Sequence, residues 1–306
     1  MNNKRDFIFK AVFFSILLLY SILLLLLLFW ALTSSIKTNV DFAELGNSIG
    51  LPKDENTREI LAPWAWAWGN FKEATKYLTV TGLYRNGRAI SVPFGTQLWY
   101  TFVYAFGCAA VSTLCPAIMA YATSKFKYGF NAVIDVIVIV TMILPIVGSS
   151  VSMISLLHQL QIYDTFLAVY AQKFNFPHMY YLVLAAIFRG IPKDYYEAAY
   201  IDGASEWQVM LEIGFPLILN SLGLIYLLFF ISYWNDYNTL LYYAPSHPTI
   251  IYGLFRIMTD PTGSSTRGEL PIQMAGCIII VVPVIILFAI FKDKVMGNLT
   301  IGGVKE

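Results

Sequence analysis

The sequence predicts an all-α, polytopic membrane protein of about six transmembrane helices. Two observations carry this. Of 306 residues, 58% are hydrophobic and 13% charged, against about 25% charged in a soluble domain. Apolar runs near the roughly 20 residues that cross a bilayer as a helix also recur along the chain. The net charge of +1 gives no overall pull toward nucleic acid.

The first expected span, about 11–34, follows Lys4, Arg5 and Lys10. A cleavable signal peptide has an apolar core of about 7–15 residues and a small-residue cleavage site. This run is longer, ends in Phe29-Trp30 and has no A-x-A, so a retained helix is expected. The 35–95 segment is the one sizeable polar region, with both charge signs and Pro52, Pro63 and Pro93, and is expected as an extracytoplasmic loop. Its stretch APWAWAWGNF suits a membrane interface, where tryptophan is enriched, or a partner contact.

The second span is expected at about 97–122 and the third at about 130–157. The fourth, near 164–190, is interrupted by Asn175-Phe176-Pro177, and its apolar part from Met179 to Phe188 is too short to cross alone. A short outer helix, a break at Pro177 and a second helix running inward to Arg189 are expected, because broken helices are tolerated where they line a cavity. The fifth span is expected at about 215–241 and the sixth at about 271–291, so that 1–306 forms a single transmembrane domain.

Lys and Arg in short loops set orientation. With the N-terminus inside, Lys125, Lys127, Arg189, Lys193, Lys292 and Lys294 fall on the cytoplasmic side. The short external loops hold only Lys173, Arg256 and Arg267, so both termini are expected in the cytoplasm.

Little here suggests an enzyme. Cys108, Cys115 and Cys277 lie in apolar runs without a CxxC spacing, and His158, His178 and His247 are scattered. GxSxG and GxxxxGK[ST] are both missing. No metal, cofactor or catalytic set is therefore expected of this chain.

The acidic, helical segment KDYYEAAYIDGASEWQVMLEIGFP, Lys193 to Pro216, stands out among these apolar runs. Pro192 suits a first helical turn, and Gly203 sits where a left-handed C-terminal glycine belongs. Ser205 with Gln208 three residues on makes a capping-box pattern. Two short helices meeting at Gly203 are expected within 191–215. Ala198 and Ala199 keep the first one slim, while Tyr196, Tyr200 and Trp207 are anchors of the kind enriched at interfaces. Asp194 and Glu197 also favour the helix dipole, which would account for those two carboxylates by stability alone.

The stretch EAAYIDGASEWQVMLEIGFP resembles the EAA motif of bacterial ABC importer permeases. Glu197, Ala198, Ala199 and Gly203 match, and after nine residues come Ile213, Gly214, Phe215 and Pro216, with Phe215 in place of the usual leucine. AYATSKFKY, MILP, SYWNDYN and the tail GNLTIGGVKE are similar to the maltose-type carbohydrate-uptake subgroup. Asn298 is an insertion in that tail, and Glu306 replaces a terminal glycine.

The resemblance implies a type I importer permease fold in the bacterial inner membrane. It implies a second permease subunit, two ATPase subunits that hold the ATP, and an extracytoplasmic solute-binding protein as partners. It implies a carbohydrate as solute, with a polyol, phosphodiester or other polar compound as the alternative. Glu197, Ala198, Ala199, Tyr200, Ile201, Asp202, Gly203 and Trp207 would couple to the ATPase, and Gly302, Gly303, Val304 and Lys305 would contact it.

For the solute path, Asp236 with Asn235 and Asn238 offers a polar wall, and Tyr233, Trp234 and Tyr237 offer stacking faces. Alternatively Asp236 ends a helix in water or pairs between helices. Pro145, before Gly148-Ser149-Ser150, either kinks the third span beside a cavity or belongs to ordinary small-residue packing. Asp135 is a weaker candidate for proton relay. An ion-coupled secondary transporter would show internal repeats and paired broken helices; one broken helix is evident.

Overall fold

The computed structural model describes residues 2–44, 49–85, 87–126, 128–144, 148–174, 178–259 and 269–296. Pro145, the Asn175-Phe176-Pro177 break and the tail residues Gly302, Gly303, Val304 and Lys305 lie outside the described residues.

By contact the chain forms two compact units, Met1–Val80 with Gly253–Pro283, and Thr81–Tyr252 with Val284–Glu306. The first unit holds helix α1, Asn2–Ser35, whose Leu- and Phe-rich faces are exposed along its length. Such a surface is stable only against lipid or another apolar partner. Asn70 closes the end of α1 by donating to the carbonyls of Ser35 and Lys37 at 2.9 and 2.7 Å. Helix α2, Gly69–Tyr77, packs Ala74 and Phe71 on Ile272 and Ala275. Trp66 and Trp68 donate to the carbonyls of Leu61 and Pro63, while Trp64 and Trp68 stay exposed.

A two-stranded hairpin, β1 (Val80–Arg85) and β2 (Arg88–Val92), lies at the end of the segment expected as a loop. The second unit is then organised on α3, Phe94–Lys125, a single helix through the expected second span. Small residues on α3 let neighbours approach closely. A Cβ on Gly107 would meet the end of the Tyr170 ring, so any larger residue there requires that ring to shift.

The third expected span is two helices, α4 (Asn131–Ile143) and α5 (Ser149–Gln159). The fourth is α6 (Phe166–Lys173) and α7 (Met179–Arg189), which flank the undescribed break. Asp135 is drawn into a structural role, accepting from Tyr181 Oη at 2.8 Å and Arg189 Nη2 at 2.9 Å, which ties α4 to α7.

After α8 (Asp194–Ile201) come the short α9 (Glu206–Gln208), a π-helical stretch Val209–Gly214 and α10 (Phe215–Leu217). The chain then bends by 77° into α11, Leu219–Trp234. The fifth span therefore starts later and ends sooner than 215–241. It stops because the Asp236 carboxylate accepts the N–H groups of Asn238 and Thr239 and caps a separate helix, α12 (Asn238–Tyr243). Helix α13, Ile250–Thr259, has no counterpart in the expected spans, and α14, Leu270–Met296, is the sixth span, longer than expected. By length and composition α1, α3 and α14 each suffice to cross a membrane, and the bent pair ending in α11 makes a fourth.

Candidate functional site

Two places on the second unit gather the residues singled out in the sequence. The first is the α8–α9 bracket. Helix α8 ends in a Schellman arrangement: Ala204 N donates to Ala199 O and Gly203 N to Tyr200 O, both at 3.0 Å. Gly203 has φ +83°, so the expected left-handed glycine is present. Ser205 then opens α9 through the expected capping box, with its N–H on Gln208 Oε1 at 2.8 Å and its Oγ accepting from Gln208 N at 3.4 Å. Local sequence alone builds this corner.

Packing divides the bracket into two faces. Tyr196 and Ala199 are buried against α3 and α7, with the Tyr196 ring edge-on to Tyr121 at 6.2 Å. Tyr196 is thus an anchor within the chain, where the sequence suggested an outward one. Glu197, Ala198, Tyr200, Ile201, Asp202 and Trp207 face outward. Ile201 is 86% exposed and Trp207 67%. Large apolar side chains held this far out of the core call for an apolar partner, protein or lipid.

Lys125, at the end of α3, holds the bracket from beneath. Its Nζ meets Glu206 Oε2 at 2.9 Å and Tyr121 Oη at 2.9 Å, and lies 4.4 Å from the Tyr200 ring centre and 5.1 Å from that of Tyr196. Tyr200 Oη donates to the same Glu206 oxygen at 2.6 Å. Beneath it a cavity of about 450 Å³ opens among Tyr121, Lys125, Phe188, Arg189, Tyr196 and Tyr200. Sequence reasoning did not bring Lys125 to the bracket, because an ordinary basic residue at a helix end gives the same signal.

The second place is the α11–α12 corner. Tyr233 Oη and Ser112 Oγ share a hydrogen bond of 2.8 Å, and the Tyr233 ring stacks on Phe229 with centroids 6.0 Å apart. Trp234 is fully buried edge-on against Phe102, so it offers no free stacking face. Asn235 bonds back to Ile231 O at 2.8 Å. The Asp236 carboxylate accepts from Tyr104 Oη at 2.7 Å, from the Thr239 hydroxyl and from two backbone N–H groups. The pairing alternative, rather than the open polar wall, describes Asp236. Tyr237 is half-buried and Asn238 exposed on the same corner. Among the described residues no group of His, Cys, Asp and Glu is placed to hold a metal ion.

Residues 112–296, from Ser112 in α3 to the end of α14, match the family described as binding-protein-dependent transport system inner membrane component. The chain is 27% identical over 218 residues to the arabinooligosaccharides transport system permease protein AraQ of Halalkalibacterium halodurans, covering 69% of this chain and 73% of that one. It is 26% identical over 220 residues to the sulfoquinovosyl glycerol transport system permease protein SmoH of Agrobacterium fabrum, covering 70% and 74%. It shares its fold, with a TM-score of 0.71 and 20% identity over 94% of this chain and 96% of the other, with a chain of a bacterial ABC transporter involved in the import of the acidic polysaccharide alginate. The match takes in both the bracket and the α11–α12 corner and exceeds half of the sequence, so this multi-pass membrane protein belongs to the family of binding-protein-dependent transport system inner membrane components.

Proposed function

We propose that this chain is the permease subunit of an ATP-driven, binding-protein-dependent carbohydrate importer. The observation that carries the reading is the bracket: two short helices fixed at Gly203, with Ile201 and Trp207 presented outward and Lys125 joining them to the end of a span. A rigid lever with an apolar tip transmits force from a separate subunit to α3 and α11. The carbohydrate assignment is supported by the naming of relatives such as the arabinooligosaccharide permease.

In this reading the bracket lies in the cytoplasm. Lys125, Arg189 and Lys193 cluster on its side, as the positive-inside rule asks. Two ATPase subunits seat the brackets of this chain and of a second permease, and hydrolyse the ATP. A solute-binding protein delivers cargo on the opposite face. Closure of the ATPase pair moves α8 and α9, and α3, α7 and α11 alternate between inward and outward openings.

The test is reconstitution of the chain with candidate ATPase, permease and binding-protein partners in vesicles. Solute-stimulated ATP hydrolysis coupled to uptake is expected. Uptake driven by an ion gradient with no ATPase subunit present would overturn the reading.

A further inference from the structure

The cavity beside Tyr233 holds a lysine that the transport reading alone does not use. Ser112, Pro116, Lys173, His178, Tyr180, Phe229 and Tyr233 line it, and its volume is about 120 Å³. Loop counting puts Lys173 at a helix end outside the membrane. Packing sets it beside the middle of α3: its Nζ lies 4.7 Å from the centre of the Tyr233 ring, whose hydroxyl bonds Ser112. Ser112 is 18 residues along α3 from Phe94 and 13 from Lys125, about 27 Å and about 20 Å at the rise of an α-helix. A point that far from both ends lies within the thickness of a bilayer core.

A cation at that depth is costly unless it is paired or faces water, and such residues mark solute or ion paths. Among the described residues no carboxylate forms an ion pair with Lys173. Asp236, on the turn after Tyr233, is committed to Tyr104, Thr239 and the start of α12. Among the described residues the contact of the Lys173 ammonium is the aromatic face of Tyr233, an arrangement from which its N–H groups can donate to an incoming acceptor. Next to it, Phe229 and Tyr233 are stacked with their planes 11° apart, and Tyr180 meets Phe229 edge-on at 4.9 Å. Flat rings suit the apolar face of a sugar, Ser112 and Tyr233 suit its hydroxyls, and the ammonium suits a charge.

We propose that this cavity is a solute subsite that selects carbohydrates bearing an anionic group, a carboxylate, sulfonate or phosphate ester, with Lys173 as the residue that binds the charge. The proposal rests on the reading of the chain as a carbohydrate permease and adds the class of sugar. Lys173 supplies charge-assisted hydrogen bonds, and the stacked rings supply the sugar contact.

The experiment uses the whole reconstituted transporter and a matched panel: neutral gluco-oligosaccharides and the same chains ending in glucuronate, 6-sulfo-glucose or 6-phospho-glucose. The expected result is ATP hydrolysis stimulated by at least one charged series. Lys173→Gln should raise its half-saturating concentration about tenfold or more, and Lys173→Arg should largely restore it. Stimulation by the neutral series alone overturns the inference and leaves the carbohydrate reading standing. Stimulation by no sugar overturns both. Loss of the assembled complex in Lys173→Gln, recovered in Lys173→Arg, also overturns it, because the lysine then pairs with a neighbouring subunit.

Discussion

Lys125 Nζ lies 2.9 Å from Glu206 Oε2, and that contact joins the last turn of α3 to the second helix of the bracket. The lysine is nearly enclosed, with 11% of its side chain exposed, while the glutamate is 54% exposed. An isolated exposed ion pair contributes about 0–1 kcal/mol, so this one acts less through its charge than through the rings gathered on the same ammonium. Lys125→Met combined with Glu206→Gln in a double-mutant cycle is expected to give a coupling energy of about 1 kcal/mol in the thermal stability of the purified permease. Lys125→Met alone should also reduce solute-stimulated ATP hydrolysis in the assembled transporter more than Glu206→Gln does. Equal effects of the two substitutions would mean that the aromatic contacts add nothing.

Gly203 has φ +83°, and a Cβ there would touch nothing within 4 Å. Any effect of substitution is therefore backbone strain alone, about 1–2 kcal/mol for a side chain in the left-handed region. Gly203→Asn is expected to keep most transport, since asparagine tolerates that region. Gly203→Val should abolish uptake and weaken ATPase co-purification while membrane insertion stays normal. Full transport by the valine variant would show that the corner does not need this geometry.

The outward face offers a separate test. Ile201 and Trp207 touch little within the chain, so truncating them hardly changes the fold. Trp207→Ala is expected to weaken binding of the ATPase subunit by about 2 kcal/mol, roughly 30-fold in dissociation constant, with an unchanged thermal midpoint for the isolated permease. A lowered midpoint with unchanged binding would place Trp207 in the lipid interface.

The bracket was legible in the sequence because its determinants are local. Gly203 and the Ser205–Gln208 pair act within one turn of themselves and build the corner locally, whereas Pro192, expected in the first turn, precedes the Lys193 N-cap of α8. The α11–α12 corner was less legible. Asp236 reads equally well as a helix end or as a polar wall until Tyr104, 132 residues away, is found against it. Trp234 shows the same limit, since only the course of α3 decides that it faces Phe102. Lys173 shows a related limit: loop counting carries no contact information, and only the fold brings the end of α6 beside Tyr233 and, through it, Ser112. The 77° bend ahead of α11 falls at Ile218, inside one apolar run, and run length does not encode it.

Asp236 accepts hydrogen bonds from Tyr104, Thr239 and two backbone groups, so its removal orphans several donors at once. Asp236→Ala is expected to destabilise the purified permease by about 2–3 kcal/mol. The half-saturating solute concentration of whatever fraction assembles should stay unchanged. A rise in that concentration with stability intact would return Asp236 to the solute wall.

Asp164 governs stability at the other end of α3. Its backbone adopts φ +61°, and its Oδ1 accepts from Ser246 N at 2.9 Å and lies 3.4 Å from His247 Nδ1. Arg85 Nη2 sits 2.6 Å from His247 Nε2, and arginine can only donate, so Nε2 accepts and the ring proton is on Nδ1, facing the carboxylate. Partial burial pushes the Asp164 carboxyl upward, but the hydrogen bonds from His247 and Ser246 outweigh it and hold the group below its ordinary value. A depressed folded-state value means stability that is fully present above the unfolded value near about 4 and lost as pH falls through the lower, folded one. Asp164→Asn keeps the left-handed backbone that asparagine tolerates and removes only the charge. The variant is expected to melt below the wild type at pH 7, with the gap closing as pH drops below about 4. A gap that stays constant across that range would show that the amide loses shape complementarity and that the charge contributes nothing.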